Sequence, residues 1–149
     1  MSNLLTFSVT GENENATKLV ANARNFRLVI DEPLELGGTD HDANPVEYLL
    51  AGYAGCVNVV AHLVAKELGL PIKKLKLEVS GDLNPAKFLG SSNKERAGFQ
   101  QIHVKLTVDT TASTALLQEW LNQIERRCPI NDNLSNPTPT SLSVEKSAA

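Results

Sequence analysis

Apolar and polar residues alternate through Leu5, Phe7 and Val9, which predicts a first strand, and Gly11-Glu12-Asn13-Glu14-Asn15 reads as the turn after it. Two more short strands are predicted over residues 16–21 and 26–30, with a turn at 22–25 between them. Pro33 and Gly37-Gly38 interrupt regular structure. Asn44-Pro45 then marks a helix start, because Asn is a good N-cap and proline's restricted φ suits the first helical position. This helix is predicted to run to about Leu68, where Gly69-Leu70-Pro71 stops it. Leu75, Leu77 and Val79 alternate with Lys76 and Glu78 as in a half-exposed strand. Residues 84–98, with Pro85, Gly90 and Ser91-Ser92-Asn93, read as a mobile loop. Ile102, Val104, Leu106 and Val108 alternate with Gln101, His103, Lys105 and Thr107, a clear strand. Leu116, Leu117, Trp120, Leu121 and Ile124 fall at helical spacing and predict an amphipathic helix over 113–127, ended by Cys128-Pro129. Leu142 and Val144 suggest a last strand. Together these elements predict a single α+β domain over residues 1–149.

The long helix has no charge from Tyr48 to Ala65. That run reaches the threshold of roughly 18 residues for a membrane span. Asn58 and His62 interrupt it, however, and Glu47, Lys66 and Glu67 bound it, so the expectation is a central helix wrapped by protein, with no membrane partner. The 149 residues suffice for a core without a disulfide or metal staple. Charge is 14 Lys+Arg against 17 Asp+Glu with no basic run, so the electrostatic footprint of a nucleic-acid binder is missing. Aromatic residues, at 5%, are too few for a base-stacking platform. The first ten residues hold neither a cation nor a long apolar run, which argues against a signal peptide and for a cytoplasmic chain with reduced thiols.

Five residues are candidates for chemistry. Cys56 lies inside the long helix, where a thiol is ordinarily an inert core group; to react it needs a cation supplied from elsewhere. Arg24 and Arg27 are the candidates for that cation. Cys128 follows Arg126-Arg127 at a helix C-terminus, where the helix dipole opposes a thiolate. Glu47 is either an orienting carboxylate or a first-turn residue that complements the helix dipole. Nine helical steps place it about half a turn round and ~13.5 Å from Cys56, so within one helix the two cannot touch. Gly52 and Gly55 thin the helix at a cost of about 1 kcal/mol each, which close approach of a second helix or access to Cys56 would explain. His41, His62 and His103 have no metal-ligand spacing to either cysteine, and no metal or cofactor is expected.

Gly37-Gly38 followed by Asn44-Pro45-Val46-Glu47-Tyr48-Leu49-Leu50-Ala51-Gly52-Tyr53-Ala54-Gly55-Cys56 resembles the central-helix signature of the OsmC/Ohr family, and Cys128-Pro129-Ile130 resembles its second cysteine motif. The resemblance implies an intertwined α+β homodimer, with curved antiparallel sheets around a long buried central helix. It implies a thiol peroxidase acting on organic hydroperoxides, with a dithiol as reductant and neither metal nor flavin. Cys56 then matches the peroxidatic cysteine and Cys128 the resolving one. Arg24, in a turn, or Arg27 matches the activating arginine. The best-studied members carry a catalytic Glu directly after Asn-Pro; here that position is Val46, and Glu47 follows one residue later. The apolar wall of Leu49, Leu50, Tyr53 and Val57 would suit an alkyl peroxide. A binding protein that keeps the cleft without catalysis, or a thiol redox sensor, are the alternatives.

Overall fold

A three-stranded antiparallel sheet opens the chain in the computed structural model, which describes residues 3–148. Its strands are β1 (Thr10–Asn13), β2 (Leu19–Ala23) and β3 (Phe26–Ile30), in that order. The strand expected at Leu5–Phe7–Val9 does not form, and β1 occupies the stretch read as a turn. Alternation shows only that a segment has two unlike faces; a strand also needs a partner, and the partner of β2 is Thr10–Asn13. Phe7 is left 88% exposed. The turn lies instead at Glu14–Lys18, where the Asn15 carboxamide oxygen accepts from the Thr17 and Lys18 N–H groups. That moves the second strand from 16–21 to Leu19–Ala23, while the third falls where expected.

The long helix, α1, spans Pro45–Leu68 as predicted. It begins with a reciprocal cap: the Glu47 N–H donates to Asn44 Oδ1 at 2.9 Å, and the Asn44 N–H donates to Glu47 Oε2 at 2.8 Å. It ends in a Schellman turn, with Gly69 at φ 65°, the Leu70 N–H donating to the Ala65 carbonyl at 2.8 Å and Leu70 buried beyond it.

The chain divides into two compact units, Met1–Gly52 and Tyr53–Ala149, and α1 runs across the division. In the first, Ala21, Val29 and Asp31 are buried, and the Tyr48 hydroxyl donates to the Val29 carbonyl at 2.7 Å, pinning the start of α1 to β3. In the second, β4 (Lys74–Leu83) and β5 (Phe99–Asp109) form an antiparallel hairpin. Its apolar face, with Leu75, Leu77, Val104, Leu106 and Val108, packs on a core of Val57, Val60, Ala61, Val64 and Ala65 from α1 and Trp120 and Ile124 from α2 (Thr114–Arg127). The Trp120 indole N–H donates to the Ala61 carbonyl at 2.8 Å, so the largest core side chain also joins α2 to α1.

Three further expectations need correction. Cys128-Pro129 does not simply end α2: a short helix, α3 (Pro129–Ser135), follows at once, because Cys128 caps it and Pro129 takes its first position. Leu142 and Val144 join no strand and are almost wholly exposed, Val144 at 98%, since no described strand pairs with them. Finally, α1 is long and apolar enough to cross a membrane by length and composition, but the chain covers only one face of it. Val57, Val60, Ala61 and Val64 are buried, whereas Val46, Leu49, Val59 and Leu63 are exposed, Val59 at 66%. The helix expected to be wrapped by protein is covered by its own chain on one side only.

Candidate functional site

Cys56 and Cys128, 72 positions apart, come together with their sulfurs 3.1 Å from each other. Cys56 projects from α1 and is half-buried; Cys128 is buried. The position of Cys128 follows from the junction it occupies. Its N–H closes α2 by donating to the Ile124 carbonyl at 3.0 Å, and its sulfur caps α3 by accepting the Asn131 N–H at 3.5 Å. Proline cannot continue the hydrogen-bonding of α2 but is well suited to start α3, so the chain turns at Cys128.

Burial pushes the Cys128 thiol up from its ordinary pKa, and the Asn131 N–H partly opposes that shift. Arg127, next in sequence to Cys128, is engaged elsewhere: its guanidinium forms a two-point ion pair with Glu67, at 2.5 and 3.0 Å. Tyr53 lies one turn before Cys56 on α1, and its hydroxyl donates to Asn131 Oδ1 at 2.6 Å. Burial raises the Tyr53 pKa, so the group stays a phenol and a donor. Beside Cys128 lies a cavity of about 300 Å³ with an apolar side of Val57, Leu106, Leu121 and Ile124 and a polar side of Gln118, Asn122, Glu125 and Asn131. Of the wall expected from Leu49, Leu50, Tyr53 and Val57, only Tyr53 and Val57 line this cavity; Leu49 is exposed.

The remaining sequence candidates lie in the first unit. Arg24 and Asn25 form the two-residue turn between β2 and β3, and both Arg24 and Arg27 are exposed. Arg24 adopts φ 57°, a left-handed backbone that costs a non-glycine residue about 1–2 kcal/mol. Its guanidinium stacks 5.0 Å from the centre of the Phe26 ring. Glu47 has a defined task in the cap of α1, where its carboxylate holds the Asn44 N–H. The pattern Asn44-Pro45-Val46-Glu47 carries that signal openly, as an N-cap residue followed three positions later by Glu.

Two features escaped the sequence. Tyr53 was expected only as part of an apolar wall, and neither its hydrogen bond nor its partner Asn131 was legible, beyond their spacing of three from Cys56 and Cys128. Asp31 is fully buried, and its carboxylate accepts from the Thr17 and Thr39 hydroxyls and from the N–H groups of Glu32, Thr39 and His41. Among the described residues, no three His, Cys, Asp or Glu side chains gather as a metal set would.

A family model described as OsmC-like protein matches residues 38–143, from Gly38 through both cysteines. The chain belongs to the OsmC-like protein family. Solved structures share its fold. The OsmC-like protein from Mycoplasma pneumoniae superposes with a TM-score of 0.77 at 21% identity, over 89% of each chain. An organic hydroperoxide resistance protein from Elizabethkingia anophelis gives 0.65 at 22%, over 91% of this chain and 93% of that one. A Legionella pneumophila protein described as an organic hydroperoxide resistance protein OsmC, predicted redox protein and regulator of sulfide bond formation gives 0.64 at 19%, over 89% and 91%. No curated protein matches the chain.

Proposed function

We propose that this chain is a thiol-dependent peroxidase that reduces organic hydroperoxides. The observation that carries the reading is the 3.1 Å approach of a half-buried thiol and a buried one from distant parts of the sequence. The names of the Elizabethkingia and Legionella proteins point the same way.

In the proposed cycle the Cys56 thiolate attacks the peroxide O–O bond. An S–O bond forms, the O–O bond breaks, and the alkoxide leaves as an alcohol after taking a proton; Cys56 becomes a sulfenic acid. The Cys128 sulfur then attacks Cys56 Sγ. The S–S bond forms, the S–O bond breaks, and hydroxide leaves as water with the Cys128 thiol proton. An external dithiol reduces the disulfide and becomes oxidised itself, so no metal or cofactor enters. The apolar side of the cavity, Val57, Val104, Leu106, Leu121 and Ile124, is the proposed seat of the alkyl group. Arg24 is the proposed source of the cation that stabilises the thiolate; the exposed, left-handed site it holds is one where glycine would be the more stable choice. The assembly is proposed to be a homodimer, because Leu49, Val59 and Leu63 leave an apolar face of α1 open to a second copy. Its place is proposed to be the cytoplasm, where the thiols stay reduced between turnovers.

The test is single-turnover mass spectrometry with a stoichiometric alkyl hydroperoxide. Wild type is expected to lose two hydrogens, two protons and the two electrons that reduce the peroxide, as the Cys56–Cys128 disulfide forms. Cys56→Ser is expected to consume no peroxide. Cys128→Ser is expected to consume one equivalent and then, with excess peroxide, to advance to the sulfinic acid. Consumption by Cys56→Ser at the wild-type rate would overturn the assignment.

A further inference from the structure

Two rungs join α1 to the segment that follows α2. One is the sulfur pair, Cys56 and Cys128, at 3.1 Å. The other is the hydrogen bond from Tyr53 to Asn131, at 2.6 Å. Each rung lies three residues from the other along both helices, since Tyr53 precedes Cys56 and Asn131 follows Cys128 by the same spacing. Residues three apart on a helix share a face, so the polar rung sets the distance and rotation at which the sulfurs meet.

Asn131 is held from three sides. Its Oδ1 accepts from Tyr53, its Nδ2 donates to the Glu125 carbonyl at 3.0 Å, and its backbone N–H points at the Cys128 sulfur at 3.5 Å. The carboxamide cannot be turned over without setting Oδ1 against the Glu125 carbonyl, two acceptors facing each other. The Tyr53 hydroxyl therefore has one partner and one sense of donation.

We propose that Tyr53 and Asn131 are positioning residues for the disulfide step, a latch that keeps Cys128 at bonding distance from Cys56. For turnover the proposal rests on the reading of the two cysteines given above; the latch itself acts on any reaction that joins them. In the peroxidase cycle its effect falls on the partition of the sulfenic acid. With the latch closed, the Cys128 sulfur reaches Cys56 before a second peroxide does. With the latch broken, the same sulfenic acid waits longer and is oxidised to sulfinic acid.

The decisive measurement avoids peroxide. Wild type, Tyr53→Phe, Asn131→Ala and the double variant are equilibrated with mixtures of oxidised and reduced dithiothreitol. The protein dithiol gives up two electrons and two protons to form its disulfide, and the cyclic reagent becomes the open dithiol. Alkylation and intact mass then give the equilibrium constant for closing Cys56–Cys128. Each single variant is expected to lower that constant about threefold: the bond is already made in the dithiol, so only the part of it that the disulfide strengthens is lost. The double variant is expected to fall no further than the worse single one, because both remove the same bond.

Unchanged constants in both single variants would overturn the proposal, including the case where their melting temperatures fall and the pair is merely structural. Additive losses would overturn the shared latch, and a wild type that forms no disulfide at any ratio would leave nothing to position. A wild type that forms the disulfide with the expected variant pattern but consumes no alkyl hydroperoxide would retire the peroxidase reading and leave the latch standing.

Discussion

Asp31 carries a full charge at zero exposure, which only a complete set of donors makes tolerable. The Thr39 hydroxyl is the strongest of them, helped by the Glu32 and His41 N–H groups and the Thr17 hydroxyl, and against the opposing effect of burial they hold the carboxyl well below the usual carboxylate range. Because the folded value lies below the unfolded value of about 3.9, the contribution to stability is complete above that value and drains away as pH falls through the folded one. Asp31→Asn turns a donor toward N–H groups that need an acceptor. It is expected to lower the melting temperature by about 5–10 °C at neutral pH, with the gap to wild type closing as the pH drops below about 4. Melting curves followed by circular dichroism over descending pH check this; parallel curves for the two proteins would show that the charge is not what matters. Nothing in Ile30-Asp31-Glu32 announces a buried carboxylate. Its donors come from both sides along the chain, and only the fold of the segment before α1 collects them.

Among the elements, α1 was legible from end to end because both its boundaries are chemical: Asn44-Pro45 at the start and Gly69 at the stop act through groups adjacent in sequence. Trp120 and Ile124 likewise declared α2 by spacing. α3 did not declare itself, since its cap is a cysteine sulfur, a weak acceptor that sequence patterns ignore. β1 was misplaced because its four exposed residues carry no apolar pattern and exist as a strand only through β2. The glycines of α1 allow a sharper test. A Cβ added at Gly52 or Gly55 meets nothing within 4 Å in the single chain. Gly→Ala at each is therefore expected to stabilise the isolated chain by about 1 kcal/mol through helix propensity alone. In the proposed homodimer the same methyl groups keep the facing helix away and weaken association. Denaturant titration together with sedimentation separates the two signs. Stabilised variants that associate as tightly as wild type would free the thin stretch of α1 from any part in a dimer.

At the scale of the whole molecule, the meeting of the two cysteines was legible only through the resemblance, which paired them as peroxidatic and resolving, because no local signal measures a distance across 72 positions. The Tyr53–Asn131 bond spans 78 positions and was invisible for the same reason. The sulfur contact also bears on the unfolded chain. Once oxidised, residues 56 and 128 stay tied when everything else comes apart, and the denatured ensemble loses the freedom of a loop of that length. Chain-entropy arguments put the gain in folding stability at about 4 kcal/mol, which for a protein of this size is on the order of 10 °C in melting temperature. The oxidised protein is expected to melt higher than the reduced one by that margin, and Cys128→Ser is expected to show no such difference, in paired scans with and without reductant. In the proposed cycle each peroxide consumed would then leave behind a more heat-resistant molecule, and resistance to heat or to a protease would read out how far the supply of reducing thiol lags behind the oxidant.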